Sequence, residues 1–379
     1  AIALSSCSSE ETTDVAKSSA ITFRPTVGLN SRGAEMTTND LNEMWVTGFY
    51  QKADEVYFSD LKFTKEKGTQ GTFIPSAPVF WQDGRTYKFV AISPAKSEWP
   101  TGLTITREAV TCENFEPKAD ISAQKDMLIK AVDANTDQWG KELELNFKHI
   151  LSQIQIKVKN GNENLVYNIK AVRINSVVGK KKLSYSTTTN NSTWGNIEGV
   201  TSNAKYTLTY ANPYTLDGKT TTELTLTSAD ATVENGGGAM LIPQNVTAWD
   251  GAKVDDTTPY NGGTYISIYL NVRMASGNKF MYPAGAQGDK TYGWVAIPVP
   301  AINWEEGNKY IYTLDMSTGC GKVDPVDPGE NVNPGGKDPN VPKDPEKGDN
   351  VFGKAIKFTV KVLEWTDKFA GTDNGKIEM

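Results

Sequence analysis

The alternation of apolar and polar positions predicts β-strands along most of the chain. The clearest run is AIKFTVKVLEW at residues 355–365, where Ile356, Phe358, Val360 and Val362 share one face. Lysines and a threonine alternate with them on the other face. A period of two is typical of a strand with one buried side. This run predicts a half-buried strand close to the end of the sequence.

A second run with the same period lies near the start of the sequence. In AITFRPTVGL, Ile21, Phe23 and Val27 fall on one face, and polar residues fall on the other. Pro25 interrupts the run, and a proline confines a strand to an edge or to a place where one N–H is not needed. The pattern predicts a short strand with one apolar face.

Many short strand-like runs lie between these two segments. They include MWVTGFY, TYKFVAISP, LELNFKHI, QIQIKV, TYISIYLNVRM and KYIYTLDM, separated by turn residues. Residues 120–134 can be read as a helix or as a strand, and the sequence leaves this open. Short strands at this spacing favour antiparallel sandwiches over an α/β sheet. We therefore predict an all-β fold with two tandem antiparallel β-sandwich domains, at residues 33–144 and 145–318.

The composition changes abruptly after the second predicted domain. Residues 319–350 contain repeated Asp-Pro pairs and several glycines, with no aromatic residue and few apolar ones. Such a composition predicts an extended, semi-rigid spacer and not a folded unit. Residues 351–379 then form a C-terminal segment whose strand is held away from the two domains.

The charge and hydropathy of the chain argue against two features, a nucleic-acid partner and a membrane-spanning helix. The chain has 379 residues and a formal net charge of −6, and its lysines and arginines are spread along the chain. No basic stripe suggests a nucleic-acid partner. No apolar window is long enough for a helix to span a bilayer.

The first residues indicate a lipid attachment site. The run AIALSSCSSEE resembles the end of a bacterial lipoprotein signal, in which Cys7 is lipidated and becomes the mature N-terminus. A lipid on Cys7 would anchor the protein to a membrane. Cys112 and Cys320 can form a disulfide in an oxidising compartment or remain two free thiols, and the sequence does not decide between them.

Candidate catalytic residues are few. His149 is the single histidine, which excludes a multi-histidine zinc site, and we interpret it as an ordinary strand residue. The acidic pair Glu305 and Glu306 resembles the carboxylates of a glycosidase, but paired surface carboxylates are common. We predict that the protein is not an enzyme and has no catalytic, cofactor-binding or metal-binding residues. Tryptophans such as Trp45, Trp294 and Trp304 are candidate platforms for glycans, although they lie within strand patterns.

The two ends of the chain share a pattern. When residues 20–29 are written beside residues 355–364, Ala, Ile, Phe and Val fall at the same four offsets. Two segments with one apolar pattern can fill one groove. Arg32 follows the early strand in a polar, loop-like stretch that suits a trypsin-like cut. Arg24 is a second possible cut site, although Pro25 after it would resist such proteases.

With these segments in this order, the chain resembles the fimbrillins, the subunits of the lipoprotein-derived type V pili of Bacteroidales-type bacteria. The resemblance covers nearly the whole chain, from the lipobox ending at Cys7, through TFRPTVGLNSRGAE, MWVTGFY and LNFKHILSQIQIKV, to GWVAIPVPAINWEEGNKYIYTLDM and the closing strand. It implies Greek-key-like, transthyretin-like sandwiches with a C-terminal extension strand.

The resemblance also implies a mode of assembly. The precursor would reach the outer membrane as a lipoprotein, and an arginine-specific protease would cut after Arg32. Loss of residues 1–32, with the displaced strand Ile21, Phe23 and Val27, would open a groove. The donor strand of another copy or of a related pilus subunit, carrying Ile356, Phe358, Val360 and Val362, would fill it and build a head-to-tail extracellular fimbrium.

Such a stalk subunit would contribute to adhesion and biofilm formation. The alternative is a monomeric outer-membrane lipoprotein that binds glycans.

Overall fold

The fold is built almost entirely of β-strands. The computed structural model describes residues 20–27, 41–51, 55–69, 71–82, 84–219, 223–233, 236–277, 279–364 and 376–378, the last three by their backbone alone. Its strands are numbered β1 to β25 along the chain.

The N-terminal unit is a closed barrel of seven strands in the order β1, β4, β3, β2, β5, β8, β9. These strands are β1 (Phe23–Val27), β2 (Glu43–Tyr50), β3 (Val56–Lys65), β4 (Phe73–Pro75), β5 (Tyr87–Ser93), β8 (Leu128–Ala134) and β9 (Leu143–His149). Its core is rich in aromatic side chains such as Phe23, Phe63, Phe73 and Phe89. A barrel removes the open sheet edges that a sandwich would leave.

The barrel differs from the sandwich that the sequence predicted. The closing contact is a parallel pairing of β1 with β9, two segments far apart in sequence. Alternation alone does not reveal such a contact, because it specifies which face is buried and not which strands are neighbours. The expected domain boundary at residue 144 falls inside β9, so the barrel continues to His149.

Two sheets enclose the core of the C-terminal unit. One sheet contains β10 (Ser152–Lys159), β15 (Glu223–Thr225), β16 (Ala239–Leu241), β22 (Asn308–Asp315), β24 (Lys357–Glu364) and β25 (Lys376–Glu378). The other contains β11 (Leu165–Val177), β14 (Ala204–Leu216), β18 (Tyr265–Met274), β19 (Phe280–Tyr282), β20 (Gly293–Pro298) and β23 (Lys322–Val323). Both supply side chains to one large cluster, including Ile156 and Tyr312 from the first sheet and Val172 and Ile268 from the second.

Two smaller sheets complete the structure. A four-stranded sheet combines β6 (Thr104–Ile105) and β7 (Ala109–Phe115) with β12 (Lys181–Ser186) and β13 (Asn191–Gly195). A two-stranded sheet pairs β17 (Gln244–Val246) with β21 (Ile302–Trp304). A separate apolar cluster joins Val90 and Ile129 of the barrel to Leu183 of the four-stranded sheet. The barrel is thus packed against a sheet that combines β6 and β7, which lie between two of its own strands in sequence, with β12 and β13, which follow it.

Helical structure among these residues is limited to three short 3-10 turns, Lys96–Glu98, Ile121–Ala123 and Thr136–Gln138. In the part of the chain that the structure describes, no helix has the length and apolar character needed to cross a membrane. The segment at 120–134 contains one of these turns followed by β8, so its strand interpretation is the correct one.

Residues 319–350, which we call the strap, are folded against the C-terminal unit. Cys320, Val323 and Asp324 have no exposed surface. The two arms of the strap pair with each other, since Lys322 bridges Asn350, and Val323 N donates to Asp349 O over 2.9 Å. The expectation of an extended spacer is therefore wrong.

A buried polar network explains why the strap folds despite its composition. Asp324 accepts hydrogen bonds from the Ser267 hydroxyl at 2.6 Å and from the Tyr265 hydroxyl and Arg173 Nη2, both at 3.1 Å. Arg173 also lies 4.0 Å from the ring centre of Trp294. Rules based on composition count apolar side chains, so they do not detect a segment that is ordered by a buried, hydrogen-bonded ion pair.

Candidate functional site

The first strand lies inside the wall of the barrel, between β4 and β9. It runs parallel to β9 over five residue pairs, from Phe23 beside Leu143 to Val27 beside Phe147. It meets β4 in the antiparallel direction, at Phe23 beside Phe73. Taking β1 out would therefore leave a slot between two strands, which we call the groove.

The inward face of β1 is completely buried. Ile21, Phe23 and Val27 each have 0% exposed surface. The Phe23 ring lies nearly edge-on to Phe63 and Phe89, with centroid distances of 4.9 and 5.4 Å. Edge-to-face pairs of this kind add to the stabilisation from burial. The sequence placed these three residues correctly on one apolar face.

Proline has no N–H to donate, and Pro25 fits in β1 because its nitrogen faces away from β9. Leu143 N donates to Thr22 O over 3.0 Å, and alternate residues of a strand in a parallel pair face the same neighbour. The nitrogen of Pro25 therefore faces the β4 side, where pairing is limited to Phe23. No ladder hydrogen bond is lost there.

The outward face of β1 meets acidic side chains. Arg24 forms an ion pair with Glu142, with 2.6 Å between Nη2 and Oε2. Glu142 also accepts a short hydrogen bond from the Thr72 hydroxyl. Glu144, the second residue of β9, is exposed and lies beside Arg24 in the register. The rim of the groove therefore has an acidic side.

The terminal strand β24 is docked on its own chain. It pairs antiparallel with β22 over eight residue pairs. Val360 has no exposed surface, whereas Ile356, Phe358 and Val362 are half-buried. The expectation that this strand is held away from the rest of its chain is wrong, because the strap returns it to the edge of β22.

Comparison with known proteins identifies the family. A model described as fimbrillin-like matches residues 31–328 of the chain. The chain belongs to the fimbrillin-like family. This confirms the resemblance inferred from the order of the sequence segments. A search of curated proteins found no match.

Two solved structures similar to the fimbrillin-like chain come from Bacteroides species. A fimbrial protein from Bacteroides vulgatus ATCC 8482 has 15% identity and a TM-score of 0.51, over 91% of this chain and 99% of the other. A candidate cell adhesion protein from Bacteroides ovatus ATCC 8483 has 15% identity and a TM-score of 0.45, over 79% and 92%. The first similarity supports the fold.

Two sites expected in this fimbrillin-like chain lie outside the described residues. They are Cys7, the expected lipidation site, and Arg32, the expected cleavage site. Both stay predictions. Arg24, the other candidate cleavage site, lies within β1 and is held on one side by β9.

The residues considered for catalysis make structural contacts. His149 Nδ1 lies 2.6 Å from Asp126 Oδ2, and both side chains are buried. Glu305 accepts hydrogen bonds from Asn303 and Asn308 at 3.2 Å. Within the described ranges, no group of three or more His, Cys, Asp or Glu residues is arranged to hold a metal ion.

Two of the tryptophans considered for glycan binding pack against the protein itself. Trp304 is 1% exposed, and its indole N–H donates to the Tyr312 hydroxyl over 3.1 Å. Trp294 has Arg173 over its ring and a centroid distance of 4.9 Å to Tyr269. These contacts use ring surface that a sugar would need.

The remaining cysteines are buried and not bonded to each other. Cys112 lies in the cluster beside the barrel, and Cys320 lies in the core of the C-terminal unit. Burial raises the pKa of both thiols.

Sequence reasoning missed the acidic rim of the groove. Leu143, Leu145 and Phe147 alternate with polar residues, so Glu142 and Glu144 were identifiable as the outward face of that strand. The pairing of this face with β1 depends on barrel closure, which the alternation does not show.

Proposed function

We propose that this chain is a stalk subunit of a fimbria that polymerises by strand exchange at the groove. A lipoprotein precursor at the outer membrane, lipidated at Cys7, is cut after Arg32 by an arginine-specific protease. The strand β24 of another subunit then replaces β1, and the resulting extracellular fimbrium contributes to adhesion and biofilm formation. The fimbrillin-like family and the fimbrial fold support the general role.

The observation that carries the proposal is the match between β1 and β24. Positions 21, 23, 25 and 27 are all buried in the barrel. With Ala355 aligned on Ala20, the residues at these positions become Ile356, Phe358, Val360 and Val362. The donor strand therefore presents an apolar side chain for every buried position, and Phe358 takes the place of Phe23.

Burial favours the exchange. On its own domain β24 leaves Ile356, Phe358 and Val362 half-buried, whereas their counterparts on β1 have no exposed surface. Fully burying one such side chain is worth about 1.5–3 kcal/mol, so completing three contributes several kcal/mol. The backbone hydrogen bonds that β24 leaves at β22 are replaced by those of the groove.

Charge on the outward face agrees with the same register. Lys357 takes the position of Thr22, close to Glu142, and Lys361 takes that of Thr26, two residues beyond the position beside Glu144. β1 carries one cation on this face, at Arg24. The donor strand carries two, and charge complementarity of this kind mainly fixes orientation and register.

The position of β1 supports a cut after Arg32 and not after Arg24. Arg24 is followed by a proline and lies in a strand that is paired on both sides, so a protease cannot fit its backbone into an active site. Cleavage after Arg32 would leave β1 whole and free to exchange. Because donor strand and groove are different surfaces, each addition leaves a new groove or donor available and the polymer grows as an open filament.

Limited proteolysis of purified precursor tests the proposal. Cutting with an arginine-specific protease is expected to give a ladder of SDS-resistant polymers on gels. Arg32→Ala precursor should stay monomeric. Phe358→Ala should lose most of the ladder, while Leu363→Ala, a change on the other face of the same strand, should keep it. Wild-type protein that stays monomeric after complete removal of residues 1–32 would refute the proposal.

A further inference from the structure

One end of the barrel exposes large apolar side chains. Among the residues that the structure describes, six large apolar side chains are exposed, and three of them are Val56 at 45%, Phe80 at 41% and Trp139 at 38%. Phe80 is hydrogen-bonded to Tyr57, the residue after Val56: the Tyr57 hydroxyl donates to Phe80 O over 2.7 Å. We call Val56, Phe80 and Trp139 the barrel end.

Strand register places these three residues at the same end. Val56 pairs with Phe49 near the end of β2, and the next residue, Tyr50, pairs with Tyr87. Tyr87 in turn pairs with Ala134, the last residue of β8, and Trp139 follows in the turn before β9. All of these strand termini meet where β9 begins.

The C-terminal unit adjoins the opposite end. β9 ends at His149 and leads through Ile150 and Leu151 directly into β10. At about 3.3 Å per residue, β9 separates the two ends by roughly 20 Å. The barrel end therefore faces away from the chain's own C-terminal unit.

The direction of β1 indicates which part of a donor subunit would lie beside the barrel end. β1 starts there, because it is parallel to β9 and Ala20 bridges Phe80. The donor strand has its apolar residues in the same order as β1, so it enters the groove with the same polarity. Ala355 of the donor then replaces Ala20 beside Phe80. The reverse polarity would direct the body of the donor towards the acceptor's C-terminal unit.

The contacts just after the strap limit the distance between the donor's C-terminal unit and the groove. Lys354 N donates to Thr318 O over 3.1 Å, and Gly353 bridges Gly319. Gly353 has a φ of +66°, and a Cβ there would lie 2.0 Å from Thr318 O. The chain is therefore held to the C-terminal unit as far as Lys354, and one residue later it is inside the groove.

We infer that the barrel end is a docking surface for the C-terminal unit of a second copy of this chain, the donor. The inference rests on the proposed strand exchange. With no free spacer between Lys354 and Ala355, the donor's body is held directly against Val56, Phe80 and Trp139, which become buried in the junction. Each junction then combines an inserted strand with an apolar contact, and successive subunits have a fixed orientation.

Cysteine cross-linking tests the polarity. Phe80→Cys chains and Ala355→Cys chains are mixed, cut together and oxidised, and boiled samples are run on non-reducing gels. A cross-linked dimer is expected, because Ala355 replaces Ala20 opposite Phe80. The control mixture pairs Phe80→Cys with Lys361→Cys, which would be opposite each other if the donor were reversed about Phe358. Cross-linking in the control mixture alone overturns the inference.

Substitution of the barrel end tests the docking contact. Phe80→Asp and Trp139→Asp are expected to lower the yield of polymer about tenfold or to shorten the ladder, because a charge would be buried at the junction. Val233→Asp is the matched control, since Val233 is 44% exposed and follows β15, which is separated from β24 by β10 and β22 in the sheet. Thermal unfolding of the uncut variants checks that each one folds.

The outcomes separate this inference from the proposed function. If wild-type chains form polymers and the barrel-end variants polymerise as well as wild type, the docking surface is refuted and strand exchange is retained. If wild-type chains form no polymer after the cut, strand exchange itself fails. Loss of polymer in the barrel-end variants, with Val233→Asp unaffected, supports the docking surface.

Discussion

In the uncut chain, Phe23 fills the centre of the groove, and its ring contacts Phe63 and Phe89. Replacing it with alanine leaves a cavity that the barrel cannot close without losing strand pairing. We expect Phe23→Ala to destabilise the precursor by about 3–5 kcal/mol, measured by urea unfolding.

Arg24→Ala is the control for this change. The Arg24 side chain is 48% exposed, and an exposed ion pair contributes about 0–1 kcal/mol. Equal losses for the two variants would contradict the assignment of Phe23 as the main buried contact of β1.

Asp324 has a comparable role in the strap. It is completely buried and is the partner of Arg173, whose side chain is only 8% exposed. Asp324→Asn leaves the guanidinium buried without its nearest countercharge, and breaking a buried pair costs about 3–5 kcal/mol. We expect the strap of this variant to be cut by proteases much faster than that of wild type.

Asp327→Asn provides the comparison, because Asp327 is also paired with Arg173 but its side chain is 53% exposed. This variant should resist proteolysis nearly as well as wild type. If the strap is cut equally slowly in both variants, Asp324 does not hold the strap in its folded position.

At the scale of single elements, the sequence predicts faces well and neighbours poorly. The alternation in β9 gives the observed order of buried and exposed positions, and Phe358, Val360 and Val362 share one face of β24 as expected. Alternation did not reveal that β1 closes a barrel against β9. It also did not reveal that β24 docks on β22, because both contacts join segments distant in sequence.

The strap shows a different reason for failure. Its composition correctly indicates few apolar side chains, but the segment is stabilised by contacts that composition does not contain. Asp344, for example, accepts hydrogen bonds from Asn333 N at 2.9 Å and Ala284 N at 2.8 Å. These contacts depend on the positions of other elements, so they follow from the fold and not from the local sequence.

The proposed register of a donor β24 in the groove can be tested by reversing charges. Glu142→Lys with Glu144→Lys should slow ladder formation by the cut protein, because the donor's Lys357 and Lys361 would then meet like charges. The slowing should be largest at low salt, since these are exposed groups.

A compensating change distinguishes register from general charge effects. Lys357→Glu with Lys361→Glu in the same chain should restore the rate of ladder formation. The pair Lys205→Glu and Lys219→Glu, on the C-terminal unit, changes the net charge equally and should not restore it. Equal rescue by both pairs would contradict the proposed register.

At the scale of the whole molecule, the direction of β9 relates the fold to assembly. The barrel end and the C-terminal unit lie at opposite ends of this strand, and β1 is parallel to it. In the proposed strand exchange, a donor strand of the same polarity would therefore place each new subunit beyond the last one. The strap keeps the junction short, so the fimbrium is expected to be stiff and not a flexible chain of subunits.

If the groove accepts any strand with the right apolar face, a free peptide should end the polymer. A synthetic peptide with the sequence of residues 355–364, AIKFTVKVLE, is added in large molar excess while the full-length precursor is cut. The peptide occupies newly opened grooves without providing a further subunit. The ladder is therefore expected to shift towards monomers and short oligomers, with the size distribution measured by gel electrophoresis.

Two further peptides make this experiment decisive. The same peptide with Phe358→Ala lacks the side chain that fills the place of Phe23, so it should leave the ladder nearly unchanged. A peptide with the sequence of residues 20–29 should also shorten the ladder, because it reproduces the strand found in the groove. Shortening by the Phe358→Ala peptide as strong as that by the parent would mean that the peptides act elsewhere, since only in the groove does burial of this ring decide binding.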